Sequence, residues 1–162
     1  MMGSESDLPT LQNALDVLGK LEVPIEVRIL SAHRTPDATH AYVKDADSRG
    51  CGCFIAAAGL AAHLAGTVAA LTVKPVIGVP MDSGSLNGID ALLSTVQMPG
   101  GVPVACMALG KAGAKNAAYL AAQILALSDP DLTERLLQDR EANAHEVAAK
   151  DAALQERFKP VE

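Results

Sequence analysis

The sequence has almost no aromatic side chains: they are 2% of its 162 residues, with two Tyr, two Phe and no Trp. A core built without them must be filled by Ala, Val, Leu and Ile, which lets elements pack closely. A flavin-stacking site would also have few rings to use. Cysteine is scarce, with three in all: Cys51 and Cys53 form a C-x-C pair and Cys106 sits in an apolar stretch. They do not make the tetrahedral set of a structural zinc, so no metal is expected. With no charged-then-apolar leader, three thiols point to a reducing compartment, read here as the cytoplasm. No apolar run approaches the ~20 residues that span a bilayer. Positive charge is in deficit, 13 Lys and Arg against 19 Asp and Glu, for a net charge of −6. Nucleic acid and anionic membranes would be repelled at long range, so neither is an expected partner. A small anion could still find a local cationic pocket.

What is present is an alternation of strand and helix patterns. Leu8, Leu11, Leu15 and Leu18 recur at helical spacing behind Asp7 and Pro9, with Gly19 where the helix would end. Ile25, Val27 and Ile29 alternate with Glu26 and Arg28 as a strand does, and Thr35-Pro36 then opens a helix that stops near Gly50. The pattern repeats: strand 53–57, helix from about 61 to 71, strand 75–79, helix from about 87 to 97, strand 103–109, helix from about 114 to 127. Pro75-Val-Ile-Gly-Val and Val102-Pro-Val-Ala-Cys-Met-Ala-Leu are apolar throughout. Helices covering both faces of a sheet require such strands. A three-layer α/β/α, doubly wound parallel sheet of flavodoxin-like type follows. It forms a single domain over residues 1–162. Residues 131–158 are polar and helix-forming with a sparse apolar stripe, so they should form a long C-terminal helix that packs on a neighbouring subunit. Only Met1 and Met2 precede Gly3-Ser4-Glu5-Ser6-Asp7, which reads as the turn after a first strand. The native chain is therefore expected to begin further upstream.

Ligands of open parallel sheets bind beyond the carboxyl ends of the strands, and three loops fall there. Gly3–Asp7 offers the Ser4 and Ser6 hydroxyls, a permissive glycine, free N–H groups at a helix start, and Asp7 for ribose hydroxyls; the same residues would equally cap the helix. Ser31-Ala32-His33-Arg34-Thr35-Pro36 pairs a group that exchanges protons near neutrality with a charged fork that matches a phosphate, or is a solvated polar turn. Ala57-Ala58-Gly59-Leu60-Ala61-Ala62-His63-Leu64 leaves its backbone open to close approach, and His63 is either a ligand contact or a core histidine bonded to a carbonyl. His40 and His145 fall mid-helix among polar residues and read as surface groups. Gly110-Lys111-Ala112-Gly113-Ala114-Lys115-Asn116 lacks the order of a nucleotide-triphosphate phosphate loop, although its N–H groups could still meet an anion. No G-x-S-x-G elbow and no strand-end Asp cluster occurs.

Taken together, Gly-Ser-Glu-Ser-Asp at 3–7, Ser-Ala-His-Arg-Thr-Pro at 31–36, Ala-Gly-Leu-Ala-Ala-His-Leu at 58–64, Gly-Val-Pro at 78–80, the 86–99 stretch Leu-Asn-Gly-Ile-Asp-Ala-Leu-Leu-Ser-Thr-Val-Gln-Met-Pro and Lys-Asn-Ala-Ala at 115–118 resemble one family. It is the class I N5-carboxyaminoimidazole ribonucleotide mutases, the PurE family of purine biosynthesis. Arg34 and the Ala-Ala-His-Leu stretch favour class I over the related class II enzymes, which carboxylate aminoimidazole ribonucleotide directly with CO2. Leu60 and Ala65 depart from the family's usual Gly-Gly-Ala-Ala-His-Leu-Pro-Gly.

The resemblance implies an isomerase that moves the carboxylate of N5-carboxyaminoimidazole ribonucleotide from the exocyclic nitrogen to ring carbon 4, with no cofactor and no metal. It implies His33 as the catalytic proton carrier. Ser6, Ser31 and Arg34 would hold the phosphate and Asp7 the ribose. Ser4, Ala32, Ala58, Gly59, Ala62, His63 and Leu64 would lie around the base and carboxylate. It also implies a homo-octamer with sites at subunit boundaries. The competing expectations are a direct CO2-using carboxylase, a flavodoxin-like binding module, and an interaction protein that has lost catalysis.

Overall fold

The computed structural model describes residues 1–159. A 3-10 turn at Glu5–Asp7 leads into α1 (Leu8–Lys20), then α2 (Pro36–Ser48), β1 (Phe54–Ala58), α3 (Leu64–Ala69), β2 (Val76–Pro80), α4 (Ile89–Val96), β3 (Ala105–Cys106), α5 (Gly110–Ala126) and α6 (Pro130–Arg157). Prolines open α1, α2 and α6, where a missing N–H removes no intrahelical bond. The Asp129 carboxylate accepts the Leu132 N–H at 3.0 Å and caps α6.

β1, β2 and β3 pair in parallel, Phe54 opposite Val76 and Ile77 opposite Ala105. Met2 forms parallel bridges to both Ile29 and Ala57. From one edge the order is thus the 28–30 segment, Met1–Met2, β1, β2, β3. In chain order that is 2-1-3-4-5, a doubly wound arrangement whose switch point lies between Met2 and β1. Side chains alternate across it. Phe54, Ala56 and Val76 join Val43, Ala46, Leu64 and Val68 on the α2 and α3 side. Ala57, Ile77 and Val79 join Leu11, Ala14, Leu18 and Ala118 on the α1 and α5 side. The wholly apolar strands are covered on both faces, as their pattern requires.

The small residues permit close approach. A Cβ on Gly78 would lie 2.4 Å from Thr95 Cγ2, and one on Gly113 would lie 1.7 Å from the Ala108 carbonyl oxygen.

Several boundaries differ from the sequence pattern. Residues 25–29 form no strand beyond the bridge at Ile29, because only Met2 reaches them with a backbone partner. The strand expected at 103–109 shrinks to Ala105–Cys106, preceded by Pro103, which has no N–H to give a ladder. The helix expected from 61 begins at Leu64, since Leu60 takes a left-handed conformation (φ 57°) that breaks the helical path. α1 runs through Gly19 to Lys20, and the chain reverses at Glu22 (φ 56°) instead.

The first turns of α6 rest on this chain's own surface. Leu132 is buried, the Arg135 guanidinium donates to the Leu21 carbonyl at 2.8 Å, and buried Asp139 meets Lys20, the Tyr119 hydroxyl (2.7 Å) and the Asn143 amide (3.0 Å). Residues 144–159 are exposed throughout. Among the described residues, no helix is long and apolar enough to cross a membrane.

Candidate active site

The three strand-end loops converge at the switch point, and two long-range bonds join them. The Arg34 guanidinium donates to the Gly3 carbonyl at 2.8 Å, tying the second loop to the first. His33 Nε2 lies 2.8 Å from His63 Nδ1, across 30 residues of sequence, with the rings edge-on at 76° and their centroids 4.9 Å apart. One nitrogen of that contact must carry the hydrogen and the other must accept it, so a transferable proton already sits between the second and third loops.

Each loop is rigidified locally. Asp7 is buried, and its Oδ2 accepts the Ser4 N–H at 3.1 Å. Burial raises the Asp7 carboxyl above the ordinary range, while the Ser4 N–H and the Arg34 charge offset part of that rise. The Ser6 hydroxyl donates to Ser4 Oγ at 2.9 Å, so both hydroxyls point to one place. In the second loop, Ser31 Oγ accepts the Arg34 N–H at 3.2 Å, and the Thr35 hydroxyl accepts the Ser31 N–H at 2.9 Å. Buried Thr39 donates to the Thr35 carbonyl at 2.9 Å. His33 and Arg34 are exposed and Ala32 is half-buried between them and the core.

The third loop divides. Ala58 and Gly59 are half-buried and His63 is exposed, whereas the side chains of Ala62 and Leu64 are buried. The Leu64 side chain belongs to the core, and the Ala62 N–H is held by Ser94 Oγ at 3.0 Å. Leu60 is exposed and its Cδ2 lies 2.5 Å from where a Gly84 Cβ would sit, so the extra bulk is directed at the 81–88 loop.

Ser83 and Ser94 were not among the sequence candidates. A Cβ on Gly59 would come within 2.4 Å of Ser83 Oγ, which places the loop after β2 directly against the third loop. The signal for Ser94 was the 86–99 stretch, whose residues gave no chemical role by type alone, whereas Ser83 lies outside every stretch singled out in the sequence. The N-terminus of α5 meets an internal carboxylate: a Cβ on Gly110 would lie 2.7 Å from Asp82 Oδ2. That end of the helix already faces an anion. His40 and His145 are exposed on their helices, away from the loops. With His33, Arg34 and His63 all exposed, the loops form an open face.

Comparison with known proteins matches residues 1–146 to a family described as AIR carboxylase. The N5-carboxyaminoimidazole ribonucleotide mutase of Bacillus subtilis is 56% identical over 141 residues, covering 87% of each chain. The protein of the same name from Escherichia coli is 51% identical over 147 residues, covering 91% of this chain and 87% of that one. The crystal structure of Treponema denticola PurE superposes with a TM-score of 0.85 at 29% identity over 95% of both chains.

Proposed function

Because the chain belongs to the AIR carboxylase family, we propose that it is the enzyme its curated relatives are named for, converting N5-carboxyaminoimidazole ribonucleotide to the carbon 4 carboxylate in purine biosynthesis. The observation that carries the assignment of roles is the 2.8 Å contact between His33 and His63 at the mouth of the switch point. It sets a proton carrier beside the one surface where hydroxyls, an arginine and open backbone converge.

The ribonucleotide phosphate is held by the Ser6 and Ser31 hydroxyls and the Arg34 fork, and the ribose by Asp7. Ser4, His63 and the backbone at Ala58 and Gly59 surround the base and its carboxylate. Ala32, Ala62 and Leu64 line the floor beneath them, Leu64 through its backbone alone. As the bond between the carbamate carbon and the exocyclic nitrogen breaks, its electron pair stays on nitrogen and His33 delivers a proton there, releasing CO2. Ring carbon 4 then attacks that CO2 to form the new carbon–carbon bond, and His33 takes the carbon 4 proton. The histidine ends as it began. Substrate and product are isomers, so the reaction sequence balances without an external oxidant, reductant or second substrate.

Holding CO2 next to the ring requires walls. Aligned neighbours reach effective molarities of roughly 10⁵–10⁸ M, an advantage lost if CO2 diffuses away. His33 and His63 are both exposed in a single chain, which supports closure of the site by a neighbouring subunit. A homo-oligomer, with the octamer as the form the resemblance implies, is part of this proposal, as is a cytoplasmic location.

Ultraviolet-monitored conversion of freshly prepared substrate, without ATP or metal, tests the reading. Wild type turns over, and His33→Asn binds the ribonucleotide with little change while losing at least about 10²-fold in rate. A His33→Asn variant that keeps most of its activity would remove His33 from the mechanism. Efficient product formation from aminoimidazole ribonucleotide and bicarbonate alone would favour the direct carboxylase.

A further inference from the structure

The chain leaves β2 into a loop, residues 81–88, that is pinned at both ends. At its start the Met81 N–H donates to the Ala58 carbonyl at 3.0 Å, and the Asp82 carboxylate lies against Gly110 at the N-terminus of α5. At its end Gly88 (φ 83°) packs so closely on the Met81 carbonyl oxygen that a Cβ there would lie 2.6 Å from it. Between these anchors residues 83–87 are all exposed. Among the described residues they bond only within their own turn and to the start of α4, the Asn87 N–H donating to the Gly84 carbonyl at 3.2 Å and the Ile89 N–H to the Leu86 carbonyl at 3.1 Å.

What joins this span to the third loop is interdigitation, two residues against two. Ser83 Oγ occupies the place where Gly59 would carry a Cβ, and Leu60 Cδ2 lies 2.5 Å from where Gly84 would carry one. Each glycine receives the side chain of the residue next to the other. The backbone is bent to this end: Leu60 holds φ 57°, a left-handed conformation unfavourable for any residue with a Cβ, and Gly84 holds φ 83°. Core burial does not account for the strain, because the Leu60 side chain is 56% exposed. Strain that burial does not explain gathers at ligand sites.

The interlock lies within the candidate site. His63, in contact with His33 at 2.8 Å, follows Leu60 by three residues. Between them the Ala61 carbonyl accepts the His63 N–H at 2.9 Å and Ser94 Oγ accepts the Ala62 N–H at 3.0 Å. A Leu60 seated against Gly84 therefore fixes the turn that delivers His63, and it brings the loop after β2 up to the side of the site where the histidine pair stands. It also gives that side an apolar surface. Released CO2 carries no net charge and no hydrogen-bond donor, and an apolar wall keeps water from taking its place.

We propose that Gly59-Leu60 and Ser83-Gly84 form a clasp that makes residues 83–87 a wall of the ring pocket, and that Leu60 is the positioning residue through which this wall keeps released CO2 beside ring carbon 4. The inference rests on the reaction proposed above. When the carbamate carbon–nitrogen bond breaks, the electron pair stays on nitrogen, which takes its proton from His33. If CO2 is retained, carbon 4 bonds to it and gives its proton back to His33. If CO2 escapes, aminoimidazole ribonucleotide leaves in its place and His33 recovers a proton from water. The wall sets the ratio of these two outcomes and leaves the bond-breaking step alone.

The test follows an isotopic label in the carbamate carbon and measures the share released as free CO2 against the share found in product, over the protein-free background. Leu60→Gly relieves the left-handed strain, so its Tm does not fall, yet the share lost as CO2 rises at least about threefold and hydrogen exchange quickens at the Asn87 amide. Leu60→Met, apolar and of similar volume, restores retention. Gly84→Ala, which displaces Leu60, raises the loss in the Leu60 chain and adds nothing in the Leu60→Gly chain, where the backbone strain of the new side chain is the same and cancels. Equal retention in wild type and Leu60→Gly would overturn the proposal. A smaller particle mass for Leu60→Gly by light scattering would also overturn it, by assigning the side chain to a subunit contact. A wild type that converts no substrate would instead remove the proposed reaction, and the wall's purpose with it.

Discussion

Burial raises the Asp7 carboxyl above its ordinary range, and the Ser4 N–H and the Arg34 charge recover only part of the loss. A raised carboxyl is bound more tightly by protons in the fold than in the unfolded chain, so stability falls as pH rises through the folded value. Asp7→Asn keeps an oxygen for the Ser4 N–H and sheds the charge. It should raise Tm at pH 7, with the gap closing as pH falls. Substrate KM should rise about tenfold, the loss expected for one charged hydrogen bond. A variant that is less stable at neutral pH would refute the conflict.

The elements are held together by small residues, since a core nearly free of aromatic rings gains little from any single side chain. The start of α5 lies tight against the connection that leads into it because Gly113 lets the Ala108 carbonyl approach, to a point 1.7 Å from any Cβ placed there. The obstacle is backbone, and it cannot rotate away. Gly113→Ala should therefore lose at least about 3 kcal/mol, read as a lower denaturation midpoint, whereas Gly19→Ala, with open space around it, should stabilise the helix by several tenths of a kcal/mol. Equal effects at the two positions would deny that close approach sets the α5 position. Ser94 works at the same scale: from α4 it fixes the Ala62 N–H, and so the path of the loop that carries His63.

At the scale of the molecule, apolar surface remains that one chain does not cover. Ile89, Leu93 and Val96 form an exposed face of α4, and α6 projects Val147, Leu154 and Phe158 into solvent beyond its docked first turns. The net charge of −6 keeps such a surface from indiscriminate association with other acidic molecules. Among the described residues, truncation after Asn143 takes away no buried side chain, so the fold should persist with Tm within about 2 °C, yet light scattering should report a smaller assembly than for the full chain. An unchanged mass would exclude the end of α6 from the interface. A monomer for the full chain at micromolar concentration would count against subunit closure of the site.

Local chemistry was enough to set the alternation of strands and helices, the apolar strands that demand cover on both faces, and the three loops at their carboxyl ends, because period and capping act over a few residues. His33, Arg34, Ser6 and Asp7 were legible as candidates for the same reason: each is a reactive or anion-binding type at a predicted strand end. The tertiary structure alone decided what those loops do to one another. Only folding brings His33 against His63 and Arg34 against Gly3, or shows that Leu64 turns into the core while Ser94 takes up the Ala62 N–H. Only the fold reveals that α6 begins by docking on its own chain, through a buried Asp139 that no pattern of polar residues marks. The alternation at 25–29 has a strand's pattern, but a strand is a pairing as well as a pattern, and among the described residues only Ile29 finds a bridge partner there.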